Sequence, residues 1–140
     1  MSQNQLSERY EVNDELNMRT LRILEAMLPE LNDALRTHFR ILFTRSEFEH
    51  WGGLCQLNNG PTRFTTGLEN IITIKKSEYD ALDEEGKNAL VCHELYHIMR
   101  SDDDKPKLRK HQYLGGIDFC ELPQHDGFSH RLALKVMGKL

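Results

Sequence analysis

The chain has 140 residues, of which 39% are hydrophobic and 29% charged, and a formal net charge of −4. That length buries one core, so a single compact domain is expected, and the acidic balance argues against a general nucleic-acid binder, since phosphates demand a cationic face. No apolar run approaches the roughly 18 residues of a membrane span, and residues 1–5 lack the basic and apolar regions of a signal peptide, so no membrane partner is expected.

Residues 1–11 are polar and are expected to form a flexible lead, with one domain over 12–140. From 13 to 36, Leu16, Leu21, Leu24, Met27, Leu28, Leu31 and Leu35 recur at helical intervals behind Asn13, a good capping residue. They predict a long N-terminal helix that Pro29 bends or divides. Phe39, Ile41 and Phe43 alternate over 38–44 and predict a strand. A second strand is predicted from Trp51 or Gly53 to Leu57 and a third over 68–75, separated by the turn signal Asn58-Asn59-Gly60-Pro61.

Asp80, Asp83, Glu84 and Glu85 then put acidic residues at a helix start, and Leu82, Ala89, Leu90, His93, His97 and Ile98 follow at spacings of three and four. Past a short polar connection, Lys105, Lys107, Arg109, Lys110 and His111 form a basic patch behind Asp102, Asp103 and Asp104. Such a patch can meet an acidic partner, although alternating charge blocks in a loop are ordinarily just solvated. The stretch Pro123-Gln124-His125-Asp126-Gly127-Phe128 reads as a turn into a final helix ending at Gly138. Cys55, Cys92 and Cys120 are widely spaced, with no C-x-x-C pair. They read as buried thiols in a reducing cytoplasm, not as a disulfide framework or zinc knuckle.

The chemistry concentrates in His93-Glu94-Leu95-Tyr96-His97. Positions four apart share one helix face, so the two imidazoles can converge on one metal ion. Glu94 then stands beside the ion and not on it, placed to take a proton from a water whose pKa zinc lowers to about 7. Leu90, Val91, Leu95 and Ile98 supply the dry wall that such a site needs. A catalytic zinc takes three protein ligands and leaves a fourth position open, so a third ligand is required. Of the remaining histidines, His38 and His50 precede the helix in a region of sheet and turn and rank low. His125 leads, because it opens a helix with Asp126 beside it to cap the helix and orient the ring. His111, His130, Asp118, Cys120 and Glu121 are its rivals, and His130 or Tyr113 could serve as an oxyanion donor.

The order of strand 71–74, acidic linker, H-E-x-x-H helix and a later His125-Asp126 opening a C-terminal helix resembles the small phage-encoded metallopeptidases. The likeness covers roughly residues 10 to 138. It implies zinc on His93, His97 and His125 with Glu94 as base. It also implies an α+β, minimal zincin-like domain: N-terminal helix, small three-stranded sheet, active-site helix and C-terminal helix. The expected activity is zinc-dependent peptide hydrolysis in the host cytoplasm, on a polypeptide substrate held along an edge strand, either 53–57 or 68–75. Two other readings are a zinc-containing protein that binds a host protein without cleaving it, and a hydrolase of a non-peptide amide.

Overall fold

The computed structural model describes residues 9–26, 31–46 and 52–108. Within them a mixed sheet of four strands carries helices on one face, an α+β arrangement. The strands are β1 (Tyr10–Glu11), β2 (Phe39–Thr44), β3 (Gly53–Leu57) and β4 (Asn70–Lys75), in the order β1-β2-β4-β3. β2 runs parallel to β4, while β1 and β3 are antiparallel to their neighbours. β4 is central because its sequence suits burial: Asn70, Ile72 and Ile74 face the core, with Ile72 and Ile74 fully enclosed.

Two expectations for this region are corrected, and the choice between bending and division at Pro29 is resolved. The sheet has four strands and not three, because Tyr10–Glu11, expected in the flexible lead, pairs with Thr44 and Phe43. A two-residue edge strand is held by main-chain bonds, such as Arg45 N–H to the Arg9 carbonyl at 3.1 Å, and leaves no apolar alternation to read. The helical segment expected over 13–36, bent or divided at Pro29, forms two helices, α1 (Asp14–Ala26) and α2 (Asn32–Leu35), and a proline between them has no N–H to continue a helical ladder. The turn at 58–61 opens a helix, α3 (Pro61–Thr66): Pro61 supplies the preset first helical φ, and Gly67 closes it at φ 73.

Asn13 does cap α1, its Oδ1 accepting the Leu16 N–H at 3.1 Å. α1 buries Leu16, Ile23 and Leu24 against the sheet and also buries Arg19. A lone guanidinium there would cost several kcal/mol. Arg19 is instead fully engaged: Nε donates to the Tyr79 hydroxyl at 2.7 Å, one terminal nitrogen to Asn88 Oδ1 at 2.7 Å, and the other to Glu15 at 2.6 Å and Glu84 at 2.8 Å. Tyr79 belongs to α4 (Lys76–Asp80), and Glu84 and Asn88 to α5 (Glu84–Tyr96), so one side chain ties three helices together. The hairpin β5 (Ile98–Arg100) and β6 (Pro106–Leu108) follows α5 directly. Lys107 lies in β6, Lys105 pairs with Asp103 at 3.7 Å in the turn, and Arg109, Lys110 and His111 lie outside the described residues. No helix among the described residues is long and apolar enough to cross a membrane.

Candidate metal centre

α5 begins at the acidic run, where Asp83 accepts the Gly86 N–H at 2.8 Å with Glu84 and Glu85 in the first turn. It ends at Tyr96, two residues earlier than the periodicity of Ile98 suggested. His97 is the C-cap, still in right-handed helical geometry, and Ile98 starts β5. The i,i+4 relation of His93 and His97 therefore survives at the carbonyl end of the helix, where the macrodipole favours positive charge. Leu90, Val91, Leu95 and Ile98 are all buried, forming the expected apolar wall.

The two imidazoles meet edge to face, with Nε2 of His93 and Nε2 of His97 3.2 Å apart. Two nitrogens each bound to one tetrahedral zinc at about 2.0–2.1 Å would stand roughly 3.3 Å apart, so the donor pair fits that ion without rearrangement. Glu94 Oε2 lies 3.9 Å from His93 Nε2, beside the pair, with its side chain buried. Burial pushes the Glu94 carboxyl up to about 7, with His93 pulling the other way. A carboxyl in that range accepts and returns protons near neutrality, and a cation held by the histidines would draw it downward.

Two glycines explain how Glu94 comes to lie under the helix and against the sheet. A Cβ on Gly53 of β3 would meet Glu94 Cγ at 3.2 Å, the Thr73 carbonyl at 3.1 Å and Ile74 Cδ1 at 3.0 Å. A Cβ on Gly52, at φ 75, would meet Leu90 Cδ1 at 2.8 Å. Bare backbone at this corner allows α5 to settle onto β3. The signal was present as Gly52-Gly53 at the start of a strand, where glycine marks close approach. β3 has a hydrogen-bonded neighbour on one side only among the described residues, namely β4. Of the two edges considered from sequence, β3 is therefore the edge and β4 the interior strand.

Arg100, three residues beyond His97, fixes the chain as it leaves the site. Its guanidinium donates to Glu69 at 3.1 Å, Thr37 at 3.1 Å and Asp104 at 2.7 Å, and its main-chain N–H donates to Asp33 at 3.2 Å. His38 is exposed, and its carbonyl accepts the Glu69 N–H, so it serves the sheet end. Cys55 and Cys92 are free and buried, and burial raises both thiols well above their ordinary range. No group of three His, Cys, Asp or Glu side chains gathers at one point among the described residues. His125 lies outside them, as do its rivals His111, His130, Asp118, Cys120 and Glu121, along with His50, Tyr113 and the expected C-terminal helix.

The sequence profile of the putative phage metallopeptidase family matches residues 8–126. The chain belongs to that family. The match takes in His93, Glu94 and His97 on α5 and extends through His125. Comparison with curated proteins and with solved structures returns no match. A metallopeptidase requires a metal, and the converging imidazole pair supplies donors chemically suited to one.

Proposed function

We propose that the chain is a zinc-dependent peptidase with a minimal zincin-like layout, in which His93, His97 and His125 hold the ion and Glu94 is the general base. The observation that carries the reading is the 3.2 Å approach of the two Nε2 atoms with the Glu94 carboxylate beside them. When bound, zinc polarises the scissile carbonyl and lowers the pKa of water to about 7. Glu94 takes the proton from the attacking water and later passes it to the leaving amine, converting a poor leaving group into a good one. Its burial between α5 and Gly53 keeps the carboxyl from competing solvent and holds its proton affinity close to working pH. Leu90, Val91 and Leu95 anchor α5 to the core so that both imidazoles and the carboxylate move as one unit.

The substrate that suits this surface is an extended polypeptide laid along β3, which runs past Glu94 and has a hydrogen-bonded neighbour, β4, on one side only among the described residues. Metal analysis of the purified chain, with cleavage of an unfolded protein measured before and after chelation, tests the reading. One equivalent of zinc with chelator-sensitive cleavage supports it. One equivalent with no turnover would favour a zinc-containing binding protein instead.

A further inference from the structure

A second groove lies at the opposite edge of the sheet from β3. β1 pairs only with Phe43 and Thr44, because the chain turns away at Asn13 to cap α1. The outer side of β2 over residues 39–42 is thus left without a strand among the described residues. His38 presents its carbonyl to β4, so ladder alternation turns the main-chain groups of Phe39 and Ile41 toward this open side. Along it runs a groove of about 670 Å³, walled by Asn17, Leu21 and Leu24 of α1 and floored by Phe39, Arg40 and Ile41. Edges left open in native proteins are ordinarily blunted by charge, bulges or a covering element. This one is flanked by an apolar helix stripe, in which Leu21 is 53% exposed, over unpaired backbone.

The two sides of the groove differ in chemistry. Leu21, Leu24 and Asn17 lie on the core side of the sheet, whereas Arg40 alternates with Phe39 and Ile41 and stands exposed on the other face. Arg40 makes no ion pair or side-chain hydrogen bond among the described residues, in contrast to Arg19, Arg36 and Arg100, which are all bonded to carboxylates. A strand added here would point alternate side chains at apolar wall and at a cation.

We infer that this edge is a docking site for an extended peptide segment of a partner protein in which apolar and acidic residues alternate, bound by β-augmentation of β2. The main chain of the peptide completes the Phe39 and Ile41 ladder, its apolar residues pack on Leu21 and Leu24, and its carboxylates face Arg40. The site lies at the other edge of the sheet from β3, which receives Glu94, with β4 between β2 and β3, and does not depend on hydrolysis.

The test uses the full chain and a fluorescein-labelled hexapeptide of alternating valine and glutamate. Fluorescence anisotropy should show saturable binding, and the amide resonances of Phe39, Ile41 and Leu21 should shift while those of Gly53 to Leu57 stay in place. Arg40→Glu, an exposed change that spares the core, should weaken binding about tenfold, and Leu21→Asp should weaken it independently. N-methylation of alternate peptide amides should abolish it. Absence of shifts at Ile41 with millimolar peptide, unchanged affinity in Arg40→Glu, or equal binding of the N-methylated peptide would each overturn the inference. Slow hydrogen exchange at the Ile41 amide of the free chain would overturn it too, because the edge would then already be paired.

Discussion

Nε2 of His93 and Nε2 of His97 stand 3.2 Å apart at the last turn of α5, within hydrogen-bond distance of each other. His93 lies in the last turn of α5 and His97 is its C-cap, at a carbonyl end whose partial negative charge adds to the attraction for a cation. In the proposed three-histidine site, replacing either histidine by alanine removes one of the donors. Zinc content of His93→Ala and His97→Ala, measured after dialysis, should fall from about one equivalent to near zero. Retention of a full equivalent by both variants would mean that the ion sits elsewhere.

Gly53 is the contact through which β3 receives Glu94. Gly53→Ala drives a methyl against Glu94 Cγ, the Thr73 carbonyl and Ile74 Cδ1, all at 3.0–3.2 Å. Two of these are side chains that can yield, and one is backbone that cannot, so a loss of about 1–3 kcal/mol in urea unfolding is expected. With Glu94 as the proposed general base, cleavage should fall further than stability explains, because its carboxylate is displaced. A variant as stable and as active as the parent would show that α5 does not rest on β3 in this way.

Arg19 binds α1 to α4 and α5, and its side chain is 4% exposed. Arg19→Met keeps the apolar stem and removes the fork, leaving Asn88 and Tyr79 without their donor. Its carboxylate partners Glu15 and Glu84 remain half or more exposed and recover solvation, so the expected cost is about 2 kcal/mol, below that of a fully buried broken pair. Arg19→Lys restores charge but not the divergent geometry and should recover only part of it. Chemical denaturation of the three proteins side by side decides the matter.

Glu69 gives the fold an acid-sensitive tie. Burial alone would raise its carboxyl, but the Arg100 hydrogen bonds, the His38 main-chain N–H and the charges of Arg100 and Arg63 outweigh that and hold it below the ordinary range. A carboxylate lowered in the folded state contributes stability that is fully present above its unfolded pKa of about 4.3 and is lost as pH falls through the folded value. The difference in unfolding free energy between parent and Glu69→Gln should therefore be constant from pH 8 to about pH 5.5 and shrink below about pH 4.5. A difference that grows as pH falls would reverse the sign and contradict the assignment.

The pairing of His93 and His97 on one helix face and the buried wall of Leu90, Val91, Leu95 and Ile98 were readable from residue spacing, since i,i+4 geometry and apolar neighbours are local properties, and the cap at Asp83 lay within the acidic run that marked the helix start. β2 announced itself through alternation and β4 through β-branched content, whereas β3 was marked by the glycines before it and the turn signal after it. What escaped is tertiary. β1 is held by backbone pairing with no sequence pattern, α3 hides in a string that reads as a turn until Pro61 is seen as a first helical residue, and α4 follows β4 with no break. The burial of Arg19 depends on partners some 60 to 69 positions away. Gly53 was read only as the start of a strand, and its contact with Glu94 is tertiary, some 41 positions away.

Glu94→Gln tests the central claim most directly, because the amide keeps the size of the side chain and removes its basicity. The account predicts a variant that folds, retains about one equivalent of zinc and loses at least about a hundredfold in cleavage of an unfolded protein. A Glu94→Gln protein that binds zinc and cleaves as fast as the parent would contradict it.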